Sequence, residues 1–472
     1  MDNRPYWLPP VDAITSSPTQ QLLIGHGAPI AVTSLHDAVL EAKNEIDRIA
    51  PAGQWDDAKK ITNSYEYIFL SLQRRMNRSI SAIQPLSRSF FKMIELWETL
   101  NMTTSAAIRT AHTAEGPGGF LEAIQYRTGH HTPMTAMTLR STERTIPGWR
   151  KSSAFLQAHP ELTISYGADN TGNLYHAANQ TAFAQTATAG GPVDIYTADG
   201  GFDFSADFNG QENTVQRLLA AEALAGLNTL AISDTSMLIM KVFDTSTRAT
   251  LELLWVLSSC FKNTALVKPH TSRPANSERY WVGRAFRGAP AWVTQLLLTM
   301  ATTEAPNGWV QLFAEPPWET PDGMWLKSIL AFQLKLEKVQ LQAIQETLSL
   351  IRAPSRERIK SLLLRNIESS RIWCRTYGIP ENTIYADMSD AAVTASNLEE
   401  ALVPFPASVA RTHSPEQSRP RPTHHGSTAP PPQLPPAGAA WRSAVPLSVL
   451  GRTPSQIASE SDPSSELAPY HS

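Results

Sequence analysis

The sequence is poor in several features that identify common protein classes. Among its 472 residues there are two cysteines, Cys260 and Cys374, which lie far apart in apolar segments. We therefore expect buried free thiols, with neither a disulfide framework nor a cysteine-ligated zinc site. The sequence also lacks a large excess of either charge, since it contains 40 Lys and Arg and 43 Asp and Glu. Any contact with nucleic acid must then come from a local basic patch.

Long apolar runs and an apolar leader are missing as well. The longest apolar run, residues 251–261, is too short to cross a bilayer, and the first residues contain no apolar signal segment. We therefore expect a soluble, intracellular protein without membrane contact. Nucleus, cytoplasm and virion remain equally open as its location.

Composition divides the chain into four parts. Residues 1–60 are mixed and are predicted to form an N-terminal extension that packs on the core, while residues 61–300 carry the core itself. Residues 301–403 are predicted to form a helical C-terminal extension. Residues 404–472 are rich in Pro, Ser and Ala, so we expect a disordered tail, which could bind a partner that recognises proline-rich peptides.

Within the core, strand patterns alternate with helix patterns. This alternation predicts an α/β fold with a doubly wound, mostly parallel sheet and flanking helices. Residues 65–70 are expected to lead into a long helical region that ends near Asn101, and residues 87–93 to open the helix directly before the first strand. The predicted strands are residues 137–139, 193–201, 237–244, 264–269 and 280–286, and the other predicted helices are residues 35–49, 212–230, 249–260, 325–351 and 355–377.

A glycine-rich loop at residues 114–122, Ala-Glu-Gly-Pro-Gly-Gly-Phe-Leu-Glu, lies between an apolar approach and the start of a helix. Glycines let the main chain come close to a ligand, and the first N–H groups of a helix favour anionic or nucleotide ligands. A Gly-Pro turn without a ligand would use the same residues. The loop has neither the Gly-x-Gly-x-x-Gly fingerprint of dinucleotide enzymes nor the Gly-Lys-Ser/Thr of a Walker loop, which argues against a nicotinamide dehydrogenase.

Four charged residues stand at separate points of the predicted sheet. Asp199 follows a strand and precedes two glycines, and Lys241 lies near the end of an otherwise apolar strand. The carboxyl ends of neighbouring central strands lie side by side, so these two side chains should face one cavity beside the glycine loop. Lys92 lies in the helix before the first strand, and Glu278 precedes the last strand. A solvated turn at Asp199 and a surface lysine at Lys92 are the alternatives.

These residues and the segments around them resemble the FtsJ/RrmJ-type ribose 2′-O-methyltransferases, and within them the cap-specific mRNA branch. The resemblance covers residues 60–290, and its most specific segment is Lys-Pro-His-Thr-Ser-Arg-Pro-Ala-Asn-Ser-Glu-Arg-Tyr at residues 268–280. The other matching segments are residues 87–92, 117–120, 137–139, 166–172, 198–202, 210–213 and 241–244.

The resemblance implies a Rossmann-like methyltransferase fold, S-adenosyl-L-methionine as cofactor, and a Lys-Asp-Lys-Glu tetrad at Lys92, Asp199, Lys241 and Glu278. Lys241 would be the general base, and Asp199 and Glu278 would hold the lysines and the hydroxyl group in line. A free lysine titrates near 10.4, so we expect burial and the second cation, Lys92, to lower the pKa of Lys241 by several units. No metal ion is required.

The same resemblance implies a set of cofactor-binding residues. The chain departs from many relatives in having Asn173 where they have an aspartate, so the affinity for the adenine is in question. Glu115 is also unusual, and it either accepts from the amino group of the methionine moiety or faces water. The implied set is Glu115, Gly116, Pro117, Gly118, Gly119, Phe120, Asn173, Leu174 and Asp199.

Capped mRNA is the implied partner, with the capping or transcription machinery as further partners. Trp149 and Tyr175 are candidates for stacking on a cap guanine. The basic residues that could follow the RNA, unless they are simply solvated, are Arg88, Arg109, Arg140, Arg144, Arg150, Lys151, Arg273 and Arg279.

We therefore expect a cap-specific mRNA 2′-O-ribose methyltransferase that acts on the first transcribed nucleotide. The absence of recognisable RNA-binding or WW-type modules favours a viral source. Two alternatives remain: a ribose methyltransferase for ribosomal or transfer RNA, and a catalytically weak cap-binding or scaffold protein on the same fold.

Overall fold

The computed structural model describes residues 3–49, 53–70, 79–102, 108–129, 132–143, 146–202, 210–318 and 323–382. The predicted tail at 404–472 lies outside the described residues, as do residues 383–403 of the predicted helical extension and Arg144. None of the described helices is long and apolar enough to span a bilayer.

The described part of the chain alternates strands and helices through its central portion. In chain order the strands are β1 (Tyr6–Trp7), β2 (Gln20–Ile24), β3 (Thr110–Thr113), β4 (Met134–Met137), β5 (Leu162–Ile164), β6 (Ile195–Ala198), β7 (Met237–Val242), β8 (Phe261–Val267), β9 (Arg279–Phe286) and β10 (Trp309–Phe313). The helices are α1 (His36–Ile49), α2 (Gln54–Thr62), α3 (Ser89–Thr99), α4 (Gly119–Thr128), α5 (Ser153–Ala158), α6 (Ala177–Ala187), α7 (Gln211–Leu227), α8 (Arg248–Ser258), α9 (Ala291–Thr302), α10 (Met324–Arg352) and α11 (Arg356–Thr376).

Eight strands form one sheet in the order β1-β8-β9-β7-β6-β3-β4-β5. The strands from β3 to β7 run parallel, whereas β9 is antiparallel to both of its neighbours, β7 and β8. The parallel strands with helices between them confirm the predicted α/β fold. The antiparallel β9 places the segment just before it, which carries Glu278, at the same sheet edge as the end of β7.

Alternate residues of β7 separate two apolar cores, one on each face of the sheet. Leu238 and Met240 belong to the core built with α7, α8 and α9. Met237 and Ile239 belong to the core built with α3, α4 and α11. Because side chains alternate along a strand, Lys241 continues the second set and its side chain is directed to the α3 face. This explains why a lysine of α3 and a lysine of β7 can serve one site.

Two strands near the start of the described chain pair with strands far along it. β1 pairs with β8 and forms one edge of the eight-stranded sheet, with Tyr6 opposite Leu266, and β2 pairs with β10 in a separate two-stranded sheet. The part of the chain after residue 300 therefore contains a strand as well as the predicted helices.

Apart from shifts of a few residues at the ends of other elements, two predicted elements differ from the structure. The region from Tyr65 to Asn101 is not one long helix: a single 3₁₀ turn covers Glu66–Ile68, residues 79–88 are not helical, and α3 then begins at Ser89. Pro85 lacks a main-chain N–H and cannot continue a helix, which explains the interruption. The strand predicted at 137–139 begins and ends earlier, as β4, because its parallel pairing with β3 ends at Met137.

Candidate active site

The candidate site lies where the parallel strands β3, β6 and β7 end side by side. Thr113 at the end of β3 lies in register with Ala198 of β6, and Ala198 lies in register with Met240 of β7. The segments that carry Glu115 and Asp199 follow directly, so both carboxyl groups reach the same edge of the sheet.

Lys241 and Asp199 form a largely buried pair at this edge, with side chains 12% and 13% exposed. The Nζ of Lys241 donates to the main-chain oxygen of Asp199 at 2.7 Å and lies 3.3 Å from its Oδ1. Tyr280, which stands opposite Lys241 on β9, donates from its Oη to the same Oδ1 at 2.9 Å. One carboxylate oxygen is thus held by a lysine and a tyrosine that are neighbours across two strands.

Lys92 and Glu278 form a second buried pair. The Nζ of Lys92 donates to Oε2 of Glu278 at 2.8 Å, and the two side chains are 12% and 10% exposed. Burial alone would raise the pKa of Glu278, but the positive charges of Lys92, Lys241 and Lys268 hold that pKa well below its usual range. Because the charge of Lys241 also lowers the pKa of Glu278, the two ion pairs interact electrostatically.

The pKa of Lys241 is raised, so the predicted lowering is wrong. Burial disfavours the ammonium ion, but the carboxylates of Asp199, Glu278 and Glu222 favour it more strongly. The prediction placed Asp199 and Glu278 beside the lysines but took only burial and Lys92 as causes of the pKa shift, and Glu222 was not predicted. At neutral pH Lys241 therefore carries a proton in this arrangement.

Glu115, at the start of the glycine loop, is buried and accepts a hydrogen bond from Oγ1 of Thr197 at 2.5 Å. Burial and the charge of Asp199 raise the pKa of Glu115 well above its usual range. A positive charge placed beside such a carboxyl group would stabilise its ionised form. The prediction that Glu115 faces water does not fit its burial, whereas the predicted contact with the amino group of the methionine moiety stays a prediction.

The glycines of the loop pack against other parts of the protein. Pro117, after a cis peptide bond, accepts a hydrogen bond at its carbonyl from the hydroxyl of Ser152, and Phe120 packs on the ring of Tyr280 with centroids 5.8 Å apart. The close approach that glycine permits is made here with protein segments, and contact with a cofactor stays a prediction. A Cβ atom would meet the main chain of Gly148 at Gly116, the ring of Trp149 at Gly118, and the hydroxyls of Ser87 and Ser89 at Gly119.

The predicted adenine loop is internally hydrogen-bonded. Oδ1 of Asn173 accepts from the main-chain N–H of Tyr175 at 2.9 Å, and its Nδ2 lies 3.2 Å from Nε2 of His176. Leu174 is buried, and its carbonyl accepts from the side chain of Gln180. An amide oxygen has two lone pairs, so Asn173 could still accept from a ligand. The roles of Asn173 and Leu174 at an adenine stay predictions.

Three of the predicted RNA-contacting arginines are engaged inside the protein. Arg88 and Arg273 both pair with the buried carboxylate of Glu66, at 2.7 Å each. Arg279 is 1% exposed and pairs with Asp244 at 3.0 Å. The burial of Arg279 is not compatible with the RNA contact that its motif suggested.

The remaining described basic residues differ in position. Arg109 precedes β3 and so lies at the other end of that strand from the candidate site. Arg140 is exposed, and its guanidinium lies 5.3 Å from the ring centroid of Tyr166. Arg150 and Lys151 are exposed, although Arg150 donates to main-chain oxygens of its own loop. Arg140 and Lys151 are thus the described cations of this set that suit a nucleic-acid surface.

The two aromatic candidates for cap stacking are largely covered. Trp149 is 9% exposed and contacts the glycine loop at Gly118. One face of Tyr175 is covered by the guanidinium of Arg217, 4.0 Å from the ring centroid. Trp149 therefore does not fit the predicted role as an open stacking surface.

Sequence reasoning placed Lys268 in a motif but gave it no role. Its buried Nζ donates to the hydroxyl of Ser272, to the carbonyls of Arg273, Asn276 and Glu278, and to the side-chain oxygen of Asn276, at 2.6–3.2 Å. Burial lowers its pKa to about 7. Lys268 thus ties together the segment that ends at Glu278.

Two further residues of the site were not predicted, Tyr280 and Glu222. Tyr280 could have been found from strand pairing alone, since it is opposite Lys241. Glu222 could have been found as the one acid within the apolar stretch from Leu218 to Leu227.

The family comparison matches residues 85–286 to the FtsJ-like methyltransferases. This range contains all four members of the predicted tetrad and every predicted cofactor-binding residue.

Individual relatives agree with that match over part of their length. The chain is 36% identical over 184 residues to the cap-specific mRNA (nucleoside-2′-O-)-methyltransferase 1 of Xenopus laevis, covering 38% of this chain and 21% of the relative. It is 29% identical over 260 residues to a protein of African swine fever virus (isolate Pig/Kenya/KEN-50/1950) named "Probable methyltransferase EP424R", covering 52% of this chain and 59% of the relative. The chain thus spans between about a fifth and three fifths of these relatives. A solved structure described as a ribosomal RNA methyltransferase from Plasmodium falciparum aligns with a TM-score of 0.30 at 16% identity, over 43% of this chain and 98% of that one.

Proposed function

We propose, from the FtsJ-like methyltransferase domain at residues 85–286, that this chain methylates the ribose 2′-hydroxyl of the first transcribed nucleotide of capped mRNA. The observation that carries the proposal is the buried Lys241–Asp199 pair beside the Lys92–Glu278 pair at the carboxyl edge of the parallel strands. The cap-specific name of the Xenopus relative and the long motif at residues 268–280 support the choice of substrate.

The residues of the site fit S-adenosylmethionine as the methyl donor. When bound, that cofactor would supply an electrophilic methyl group on a positively charged sulfur, together with a positively charged amino group. The buried acids Glu115 and Asp199 at this edge complement such positive charge. The residues that would hold the cofactor are Glu115, Gly116, Pro117, Gly118, Gly119, Phe120, Asn173, Leu174 and Asp199.

In this proposal Lys241 is the general base that accepts the proton of the 2′-hydroxyl group. Asp199 holds the Lys241 amine in place through its main-chain oxygen and its carboxylate, and Glu278 with Lys92 directs the hydroxyl group. Lys241 must first lose its own proton, which the surrounding carboxylates oppose. Positive charge brought into the site acts against those carboxylates and favours the neutral amine. The protein's task is thus orientation and proton removal.

The proposal is tested by methyl transfer from labelled S-adenosylmethionine to a short capped RNA and to the same RNA without a cap. We expect transfer to the capped RNA alone, at the 2′-oxygen of its first nucleotide, which nuclease digestion and mass spectrometry identify. Lys241→Met should abolish transfer. The matched control is Lys262→Met, because Lys262 is an exposed lysine paired with Asp234 and should leave the rate unchanged.

Other outcomes would redirect the assignment. Equal transfer to capped and uncapped RNA, or transfer to ribosomal or transfer RNA, would replace the cap-specific function by a broader ribose methylation. Cap binding without transfer under any condition would favour a binding protein on this fold. Full activity of Lys241→Met would exclude Lys241 as the base.

A further inference from the structure

Glu222 is a fully buried acid that lies against the site from the side of α7. Its relative exposure is 0%, no side chain among the described residues hydrogen-bonds either carboxyl oxygen, and the main-chain N–H of Gly200 is the donor that faces it. The contact it does make is with the main chain of Gly200, where a Cβ atom would stand 2.0 Å from Oε1 of Glu222. Burying a carboxyl group with so few partners costs free energy, and this cost points to a functional role for Glu222.

The contact places Glu222 against the turn that carries Asp199. On one side of this turn, Lys241 donates to the main-chain oxygen of Asp199, and its Nζ would lie 3.2 Å from a Cβ atom at Gly201. On the other side, Glu222 fills the space at Gly200. The three-residue turn from Asp199 to Gly201 is therefore packed between the amine of Lys241 and the carboxyl group of Glu222.

The charges around Glu222 come from several elements. Burial raises its pKa to about 8, while Lys241 on β7 lowers it and Asp199 raises it. The charge of Glu222 in turn raises the pKa values of Glu115 in the loop, of Tyr196 on β6 and of Lys241. Tyr175 is the other titratable group that Glu222 affects. Glu222 is thus linked to both the base and the acids of the candidate site.

We propose that Glu222 is a positioning residue of the methyl-transfer site, which supports the Asp199–Gly201 turn from the α7 side and controls the charge on Lys241. This inference rests on the proposed function. Near neutral pH the carboxyl group is protonated and adds little to the negative charge that holds Lys241 as an ammonium ion, which Asp199 and Glu278 then supply. At higher pH the carboxylate holds the ammonium form, so the gain in activity with pH is limited.

The first test does not require activity. Full-length protein with ¹³C-labelled glutamate and lysine side chains is titrated by NMR from pH 6 to about pH 12, so that the range includes the raised pKa of Lys241, and resonances are assigned with Glu222→Gln and Lys241→Met. We expect a glutamate signal that titrates near pH 8 in the wild type and is lost in Glu222→Gln. The Lys241 signal should begin to titrate at least about one pH unit lower in Glu222→Gln, because a negative neighbour is gone.

A matched control separates this effect from the loss of any buried acid. Glu252→Gln removes another fully buried glutamate, on α8, where it pairs with Arg248 and accepts from the N–H of Leu312. This variant should leave the titration of Lys241 unchanged. A wild-type protein in which no glutamate titrates above pH 6 would overturn the inference without the use of any variant, and so would a folded Glu222→Gln that loses no such signal. An unchanged Lys241 titration in folded Glu222→Gln would overturn it as well.

Methyl transfer then distinguishes failure of the inference from failure of the proposed function. Above pH 8 the rate of Glu222→Gln should rise more steeply than that of the wild type, with the KM for the methyl donor changed less than twofold. Parallel pH profiles would contradict the role of Glu222 while leaving the methyltransferase assignment intact. Absence of transfer by the wild type would contradict the proposed function, and the NMR titration would still decide the link between Glu222 and Lys241.

Discussion

The Oη of Tyr280 lies 2.9 Å from Oδ1 of Asp199, and Tyr280 stands directly opposite Lys241 on the neighbouring strand. Two residues paired across β7 and β9 thus contact the same carboxylate oxygen from different directions. The sheet register therefore helps to fix the position of Asp199. A change at Tyr280 should affect Asp199 without touching the lysine itself.

Tyr280→Phe removes only the hydroxyl group of a fully buried ring. A hydrogen bond to a charged group contributes about 1.5 kcal/mol or more, so we expect methyl transfer to fall about tenfold while cofactor affinity is retained. Steady-state rates and calorimetric titration with S-adenosylmethionine measure the two effects. Tyr67→Phe, in another buried tyrosine, is the control and should keep the wild-type rate. A wild-type rate in Tyr280→Phe would show that Asp199 does not depend on this bond.

The Lys92–Glu278 pair should show strong energetic coupling. Removing one member leaves a buried charge unpaired, so Lys92→Met and Glu278→Gln should each lower the free energy of unfolding by roughly 3 kcal/mol. The double variant should be more stable than the sum of the two losses predicts, by at least about 1 kcal/mol. Urea unfolding gives all four values. The exposed pair Lys262–Asp234 serves as the reference, where the coupling should be close to zero.

Glu66 should make the protein sensitive to acid. Burial opposes its ionisation, but Arg88 and Arg273 lower its pKa to about 2, from an ordinary value of 4.5. Its stabilising contribution is therefore complete above pH 4.5 and is lost as the pH falls toward 2, and it amounts to roughly 3 kcal/mol. Between pH 7 and pH 3, Glu66→Gln should lose about 2 kcal/mol less of its free energy of unfolding than the wild type. The exposed Glu357→Gln should behave like the wild type, and equal acid sensitivity of all three proteins would contradict the role of the two arginines.

Gly172 should tolerate a methyl group poorly because of its surroundings. Its φ is +67°, and a Cβ atom would lie 2.1 Å from the carbonyl oxygen of Thr138, which joins the loop of Asn173 to the end of β4. Gly129 has a similar φ of +81° but open space around it, so Gly129→Ala reports the backbone strain alone, about 1 kcal/mol. We expect Gly172→Ala to lower the melting temperature more than Gly129→Ala and to weaken binding of S-adenosylmethionine. Equal effects on both measurements would show that the contact with Thr138 is not required.

The parts of the fold that follow from one strand's own residues were predictable. β7 is an apolar run whose single lysine had to be paired, and the structure does pair it. The matching motifs also predicted Lys92, Asp199 and Glu278, which are the other members of the two ion pairs. Local pattern and motif order therefore sufficed to nominate the charged residues that meet at this edge.

What depends on three-dimensional neighbours was not predictable in the same way. The pKa of Lys241 is raised and not lowered, because the charge of Asp199 is joined by those of Glu278, from the segment before β9, and Glu222, from α7. Arg279 looked like a surface cation within its motif, yet it is buried against Asp244. Sequence separation hides such contacts, so the sign of an electrostatic effect could not be read from the motif alone.

The pairing of Tyr6 with Leu266 has a consequence for the order of synthesis. A ribosome adds roughly 5–20 residues per second, so on the order of 10 to 50 seconds pass between the first strand and its partner. β1 cannot form its native pairing until β8 has been synthesised, and β2 cannot do so until β10 has been synthesised, which takes longer still. The edges of β1 and β2 thus stay unpaired for that interval, during which they are open to pairing with other strands.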